Sequence, residues 1–158
     1  MSDKDEKRLL YLNDFVVGQR FTTTTMMLDE GQIKSFAEQF DPQPFHTDDE
    51  AAKQSLFGGL AASGWHTAAI TMRLLVLSGP PIAGGILGAG GELMWPRPTR
   101  PGDILHVESE VIEIKPSKSR PDRGMLTLRS ETMNERREVV QVLTAKLVVP
   151  MRPETESA

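Results

Sequence analysis

The order of apolar patterns along this chain predicts the α+β class, with helices in the first half and antiparallel strands in the second. Two observations carry it. Residues 63–78 are apolar at almost every position (Trp65, Ala68, Ala69, Ile70, Met72, Leu74, Leu75, Val76, Leu77), as a buried helix requires. The last third reads as three long strands, 103–114, 124–133 and 138–149, rich in Val, Ile, Leu and Thr and parted by turn signals at 116–123 and around Asn134-Glu135. One buried helix beside such a meander suggests a sheet wrapped around that helix.

The remaining elements follow in order. Residues 1–8 are polar and read as a loose N-terminus, 9–150 as one domain, and 151–158 as a loose tail. Phe21, Thr23, Thr25 and Met27 alternate with smaller polar residues and predict a strand over 20–28. Asp29 is a good N-cap with Gln32 three residues on, and Ile33, Phe36, Ala37 and Phe40 give the helix that follows one apolar face. Pro42 disfavours helical geometry at Asp41 and stops it there. A second short helix is expected from Thr47, with Glu50 as capping partner and Ala51, Ala52 and Ser55 along it. Between the two lies a stiff connection, Asp41-Pro42-Gln43-Pro44-Phe45-His46. Ser63 is the expected N-cap of the apolar helix, Pro80-Pro81 ends it, and a glycine-rich loop over 84–91 leads into 92–95.

Composition bounds the function without naming it. The chain has 158 residues, enough for one unassisted core, and no cysteine, which removes disulfides and thiolate chemistry. Its net charge of −4, with both signs interleaved, argues against a nucleic-acid partner. The charged N-terminus has no apolar signal region and no stretch is long enough to span a membrane, so a cytoplasmic location is the default expectation. Three scattered histidines without carboxylates at ligand spacing predict no metal site.

Asp41 and His46 are the first candidates for chemistry. They flank a proline-stiffened turn between two helix ends, so their side chains can converge, and a carboxylate and an imidazole sharing one water can polarise it and shuttle its proton. Alone, this spacing is common by chance and is better read as a loop cap and a surface histidine.

The wider run resembles a known family. Phe40-Asp41-Pro42-Gln43-Pro44-Phe45-His46-Thr47-Asp48, followed by Ala51-Ala52, is similar to the hydratase-2 motif of the MaoC-like dehydratase and R-specific enoyl-CoA hydratase family. Phe57-Gly58-Gly59-Leu60-Ala61-Ala62-Ser63-Gly64 and Trp95-Pro96-Arg97-Pro98-Thr99-Arg100-Pro101-Gly102-Asp103 resemble its next motifs, so the likeness covers nearly the whole chain. It implies a hot-dog fold and a hydro-lyase acting on a 2-enoyl or (R)-3-hydroxyacyl thioester. No cofactor is implied beyond the coenzyme A or acyl carrier that belongs to the substrate. By position the family's catalytic aspartate falls on Asp41, its histidine on His46, and its oxyanion donor on the backbone N–H of Gly64. That last placement has physical sense of its own, because Gly64 opens a helix where N–H groups lack partners and the dipole favours negative charge. The chain departs from the family where Gln43 replaces the usual Asn and Ser63 the usual His, and Met72 stands where another member has an acyl-pocket serine. These positions bear on substrate class.

Ser63, Trp65 and His66 are candidates for substrate contact at the start of the helix. The dipole should hold His66 neutral, and the plainer reading of it is a partly buried histidine bonded to a neighbour. His106, among Glu108 and Glu110, reads as surface. Arg97, Arg100, Lys118, Arg120 and Arg123 are candidates for the coenzyme A phosphates, guanidinium groups offering a fixed fork of donors, with a solvated loop as the plainer reading of each. A small curved sheet with open edges predicts a homodimer. Two other functions remain open. A hot-dog thioesterase would place its carboxylate on or near the long helix, and 63–78 contains none. A non-catalytic thioester-binding subunit need keep neither Asp41 nor His46.

Overall fold

The structure, a computed structural model, describes residues 8–154. Ten elements follow a 3-10 turn at Leu12–Asp14: β1 (Arg20–Thr22), β2 (Met26–Met27), α1 (Glu30–Phe40), α2 (Pro44–Thr47), α3 (Asp49–Lys53), α4 (Gly64–Ser78), β3 (Gly88–Met94), β4 (Ile104–Pro116), β5 (Arg123–Met133) and β6 (Val139–Pro150). The strands form one antiparallel sheet in the order β1-β4-β5-β6-β3, with β2 also on β4. Leu105, Val107, Ser109 and Val111 alternate inward along β4, the period-two pattern of a strand with one buried face. Bulges between Val111 and Glu113, Thr132 and Met133, and Gly88 and Gly90 interrupt the ladders, as bends in a curved sheet do.

α4 lies in this curve. Ile70, Leu74 and Leu75 pack with Leu105, Val107 and Val140 of the sheet, and with Leu28, Ile33, Ala52 and Leu60 of the chain that arrives from β2. A second cluster, Leu12, Phe15, Ile82, Val111, Leu126, Leu128, Leu147 and Val149, fills the other end. One central helix embraced by an antiparallel sheet is the hot-dog arrangement, and the predicted class and fold hold.

α4 is nonetheless buried on one face only. His66, Thr67, Ile70, Thr71, Leu74 and Leu75 point inward, whereas Trp65, Met72, Val76 and Leu77 are 40–64% exposed. A single sheet can cover only one side of a helix, so the second apolar stripe has no cover among the described residues.

Several local expectations are corrected. The strand expected over 20–28 is broken at Thr23, whose hydroxyl accepts from Val107 N–H at 2.9 Å where a strand carbonyl would. Thr24 then turns to Ser78 at the end of α4, its N–H donating at 2.9 Å. The second helix is capped by Asp48 rather than Thr47, because the Asp48 carboxylate accepts from both Glu50 and Ala51 N–H. Thr47 instead closes α2, a helical turn with Pro44 at its start where a rigid linker was expected. Phe40 leaves the core face and is 69% exposed, tilted against Phe36. The latter half of the glycine-rich loop is strand: β3 pairs with β6, and a Cβ at Gly91 would strike the Thr144 carbonyl oxygen. The tail is folded through Arg152, which ion-pairs with Asp14 and stands 5.0 Å over the Tyr11 ring, while Met151 N–H donates to Asp122 O. The expectations for 1–7 and 155–158 lie outside the described residues.

Candidate active site

The segment from α1 to the start of α4 brings the candidates together. Asp29 and Gln32 form the predicted capping box, and α1 ends with Asp41 as its C-cap, Asp41 N–H donating to Ala37 O. Pro42 turns the chain, Pro44 starts α2, and one turn later His46 faces back toward Asp41. His46 Nε2 lies 3.3 Å from Asp41 Oδ2. On the other side of the ring Nδ1 is 2.6 Å from the Ala61 carbonyl oxygen. A carbonyl only accepts, so Nδ1 carries the hydrogen and Nε2 is the nitrogen offered to Asp41 and the cleft.

Asp41 is held ionised. Burial opposes its charge, but the Gln43 amide and the Ser63 hydroxyl outweigh it and hold the carboxyl below its usual range. Gln43 Nε2 donates to Asp41 Oδ1 at 2.6 Å, leaving Oδ2 for His46. Ser63 Oγ is wholly buried and faces the same carboxyl without completing a hydrogen bond of normal geometry. Ser63 is the N-cap residue of α4, as expected, yet its side chain does not cap. Its carbonyl accepts from the N–H groups of His66 and Thr67. Gly64 and Trp65 head the helix, where an N–H has no intrahelical acceptor.

Asp41, His46 and Gly64 line one cleft of about 470 Å³, beside Phe45, Phe57, Trp65, Trp95 and Pro98, whereas Ser63, expected to contact substrate, is buried behind its wall. Gly64 admits a close approach: a Cβ there would lie 2.5 Å from Trp95 Cε2 and 2.7 Å from Cδ2. Only glycine lets the indole lie on the start of the helix.

The other sequence candidates divide. Trp65 and Arg97 line the cleft, with Arg97 Nη1 2.9 Å from Glu138 Oε2. His66 does not: it is 8% exposed, stacked on Phe36 at 4.4 Å and 5°, and its Nδ1 has no partner among the described residues, so the stack holds the ring. Burial lowers its pKa and keeps it neutral. Arg100 turns its guanidinium onto the carbonyls of Phe57, Gly59 and Leu60, at 2.5–3.3 Å, and so ties down the loop before α4. Lys118, Arg120 and Arg123 sit around the β4–β5 turn, away from the cleft lining, with Arg123 paired to Asp122. His106 is half-buried, 3.5 Å from Glu108, rather than on the surface.

Three participants carry little signal of their own in the sequence. Gln43, a departure from the family motif, is the hydrogen-bond partner of Asp41. Trp95 was only part of a motif. Gln141, which accepts from Trp95, is one polar residue in an otherwise apolar strand start and carries no signal of its partner.

A hot-dog domain with a paired carboxylate and imidazole at the head of its central helix defines a class of protein, and the comparisons place the chain within it. It belongs to the MaoC-like domain family, which matches residues 14–134. A MaoC-like dehydratase from Rhodospirillum rubrum is 64% identical and superposes with a TM-score of 0.90 over 91% of this chain and 99% of that one. The R-hydratase PhaJ1 of Pseudomonas aeruginosa is 25% identical, with a TM-score of 0.71 over 94% and 92% of the two chains. A 3-hydroxybutyryl-CoA dehydratase of Methylorubrum extorquens is 31% identical over 118 residues, 73% of this chain and 72% of that protein.

Proposed function

We propose that this protein is a hydro-lyase that adds water across the double bond of a 2-enoyl thioester to give the (R)-3-hydroxyacyl thioester, and runs the reverse dehydration. The observation that carries the proposal is the His46–Asp41 pair, 3.3 Å apart, with its ring nitrogen oriented by Ala61 and its carboxylate oxygens divided between Gln43 and His46. A water held between Nε2 and Oδ2 gives one proton to the pair, its hydroxyl adds to C3, and the pair returns a proton to C2. Negative charge that gathers on the thioester oxygen meets the Gly64 N–H at the positive end of α4. Gly64 and Asp41 line the same cleft, so one bound acyl group can reach both. The names of the dehydratase and hydratase relatives support the reaction class.

The carrier is coenzyme A or an acyl-carrier protein, and among the candidate cations Arg97 is the one that lines the cleft. The active form is proposed to be a homodimer. A second copy on the same patch would cover Met72 and Val76 on the outer face of α4 and the open edge of β3.

Incubation with a panel of 2-enoyl-CoA esters tests the reaction. Loss of enoyl absorbance without release of thiol is the expected result. Thiol release would identify a thioesterase, and binding without turnover a thioester-binding subunit.

A further inference from the structure

A buried polar chain that the acid/base chemistry does not use runs from Trp95 into the core. Trp95 Nε1–H donates to Gln141 Oε1 at 2.9 Å, and Gln141 Nε2 donates to Thr71 Oγ1 at 3.0 Å. Thr71 donates to the Thr67 carbonyl at 2.9 Å, so the 2.5 Å contact between the Thr71 and Thr132 hydroxyls takes its hydrogen from Thr132. Gln141, Thr71 and Thr132 are each 0% exposed. Polar groups buried this deeply are costly unless every one is satisfied, and an apolar trio would fill the same space. What the network supplies is a fixed plane for the indole, anchored through an N–H that can only donate.

The ring so held lies over Gly64, close enough that a Cβ would meet three of its atoms. Trp65 meets it edge-on, with centroids 5.3 Å apart at 84°, and blocks a swing in that direction. Trp95 is 41% exposed and lines the cleft.

We propose that Trp95, pinned by Gln141, is a specificity-determining residue: a rigid wall beside the thioester carbonyl that limits bulk on C2 of the acyl group. The proposal deepens the hydro-lyase reading and rests on it for the placement of the acyl group. A carbonyl oxygen that accepts from Gly64 N–H brings its carbon alongside the ring laid on Gly64, and C2 is the next substrate atom. A hydrogen on C2 clears the indole and a methyl group meets it. A loose ring would yield, but one bonded to a buried amide does not.

The test compares crotonyl-CoA with 2-methylcrotonyl-CoA in the wild type and in Trp95→Ala, Trp95→Phe and Gln141→Met. In Trp95→Ala the ratio of kcat/KM, branched over unbranched, should rise about tenfold or more, the range that one methyl group commands in an apolar pocket. Gln141→Met, which frees the ring but keeps it, should give part of that rise. Trp95→Phe removes the N–H and some of the ring, and decides the matter if the alanine variant does not fold. Calorimetric binding of butanoyl-CoA and 2-methylbutanoyl-CoA repeats the comparison without turnover. An unchanged ratio, or an equal loss for both thioesters, overturns the assignment. Wild-type protein that hydrates no ester of the 2-enoyl-CoA panel, with a binding preference that still shifts in Trp95→Ala, overturns the hydro-lyase reading and leaves Trp95 in its role.

Discussion

His46 offers one ring nitrogen to a backbone carbonyl and the other to a carboxylate: Nδ1 is 2.6 Å from Ala61 O, and Nε2 is 3.3 Å from Asp41 Oδ2. The first contact fixes the tautomer, and the second defines where a shared water and its proton would be handled.

Asp41→Asn keeps the size of the side chain and removes the charge that accepts a proton, and His46→Ala removes the other holder. Each should lower turnover on the preferred enoyl thioester by about 10²–10⁴. Since both act on one water, the double variant should lose far less than the product of the two single losses. Steady-state kinetics on folded variants checks this, and near-full activity in either single variant would sink the pair as the acid/base centre.

The pH dependence that Asp41 gives to stability should lie wholly in acid. Folding holds its pKa below the ordinary 3.8, so the unfolded chain protonates first as the pH falls. The contribution is complete above about 3.8 and is lost as the pH drops through the folded value. Denaturant titrations of Asp41→Asn against wild type should therefore converge at the acid end of the series. A gap that stays constant down to the acid limit would contradict the ionised carboxylate.

His66 acts in a different window. Burial lowers its pKa from the ordinary 6.5, so below that value the unfolded chain takes up a proton that the folded state resists. Its stabilising contribution is full above about 6.5 and is lost as the pH falls toward the folded value. His66→Phe keeps the stack on Phe36 and should flatten the decline of Tm between about pH 7 and pH 5. Because His66 lies outside the cleft lining, turnover should stay within a few-fold of wild type. An unchanged Tm slope, or a collapse of activity in a folded variant, would be the contrary result.

Arg100→Ala should destabilise the protein by about 1–3 kcal/mol, since it strips the donor from carbonyls of Phe57, Gly59 and Leu60. Arg100→Lys should recover little, because an ammonium lacks the fork that reaches several carbonyls at once. Thermal melts decide it. A silent Arg100→Ala that weakens coenzyme A binding instead would return Arg100 to the phosphate.

The outer stripe of α4 predicts that Val76→Asp dissociates a homodimer. Val76 is 63% exposed and lies outside the cleft lining. Sedimentation velocity at micromolar concentration should show a dimer for the wild type and a monomer for the variant. A wild-type monomer would refute the assembly outright.

The amino-acid sequence by itself determined the elements whose causes are local. The capping box at Asp29 and Gln32, the stop at Pro42, the apolar run of α4 and the β-branched and aliphatic richness of β4 each rest on residues a few positions apart, and each appears as an element in the structure where expected. It also set Asp41 five residues from His46 across a stiff turn, which is why that pair was legible. Tertiary structure decided everything that needs a partner distant in the chain. Thr23 breaks its strand because a hydroxyl can reach Val107, Arg100 is spent on carbonyls 40–43 residues away, and Trp95 finds Gln141 across 46 residues. It also decided that α4 shows two faces, only one of which the sheet can cover. Periodicity records that a side chain is apolar or polar, and the identity of its neighbour exists only once the sheet has closed around the helix.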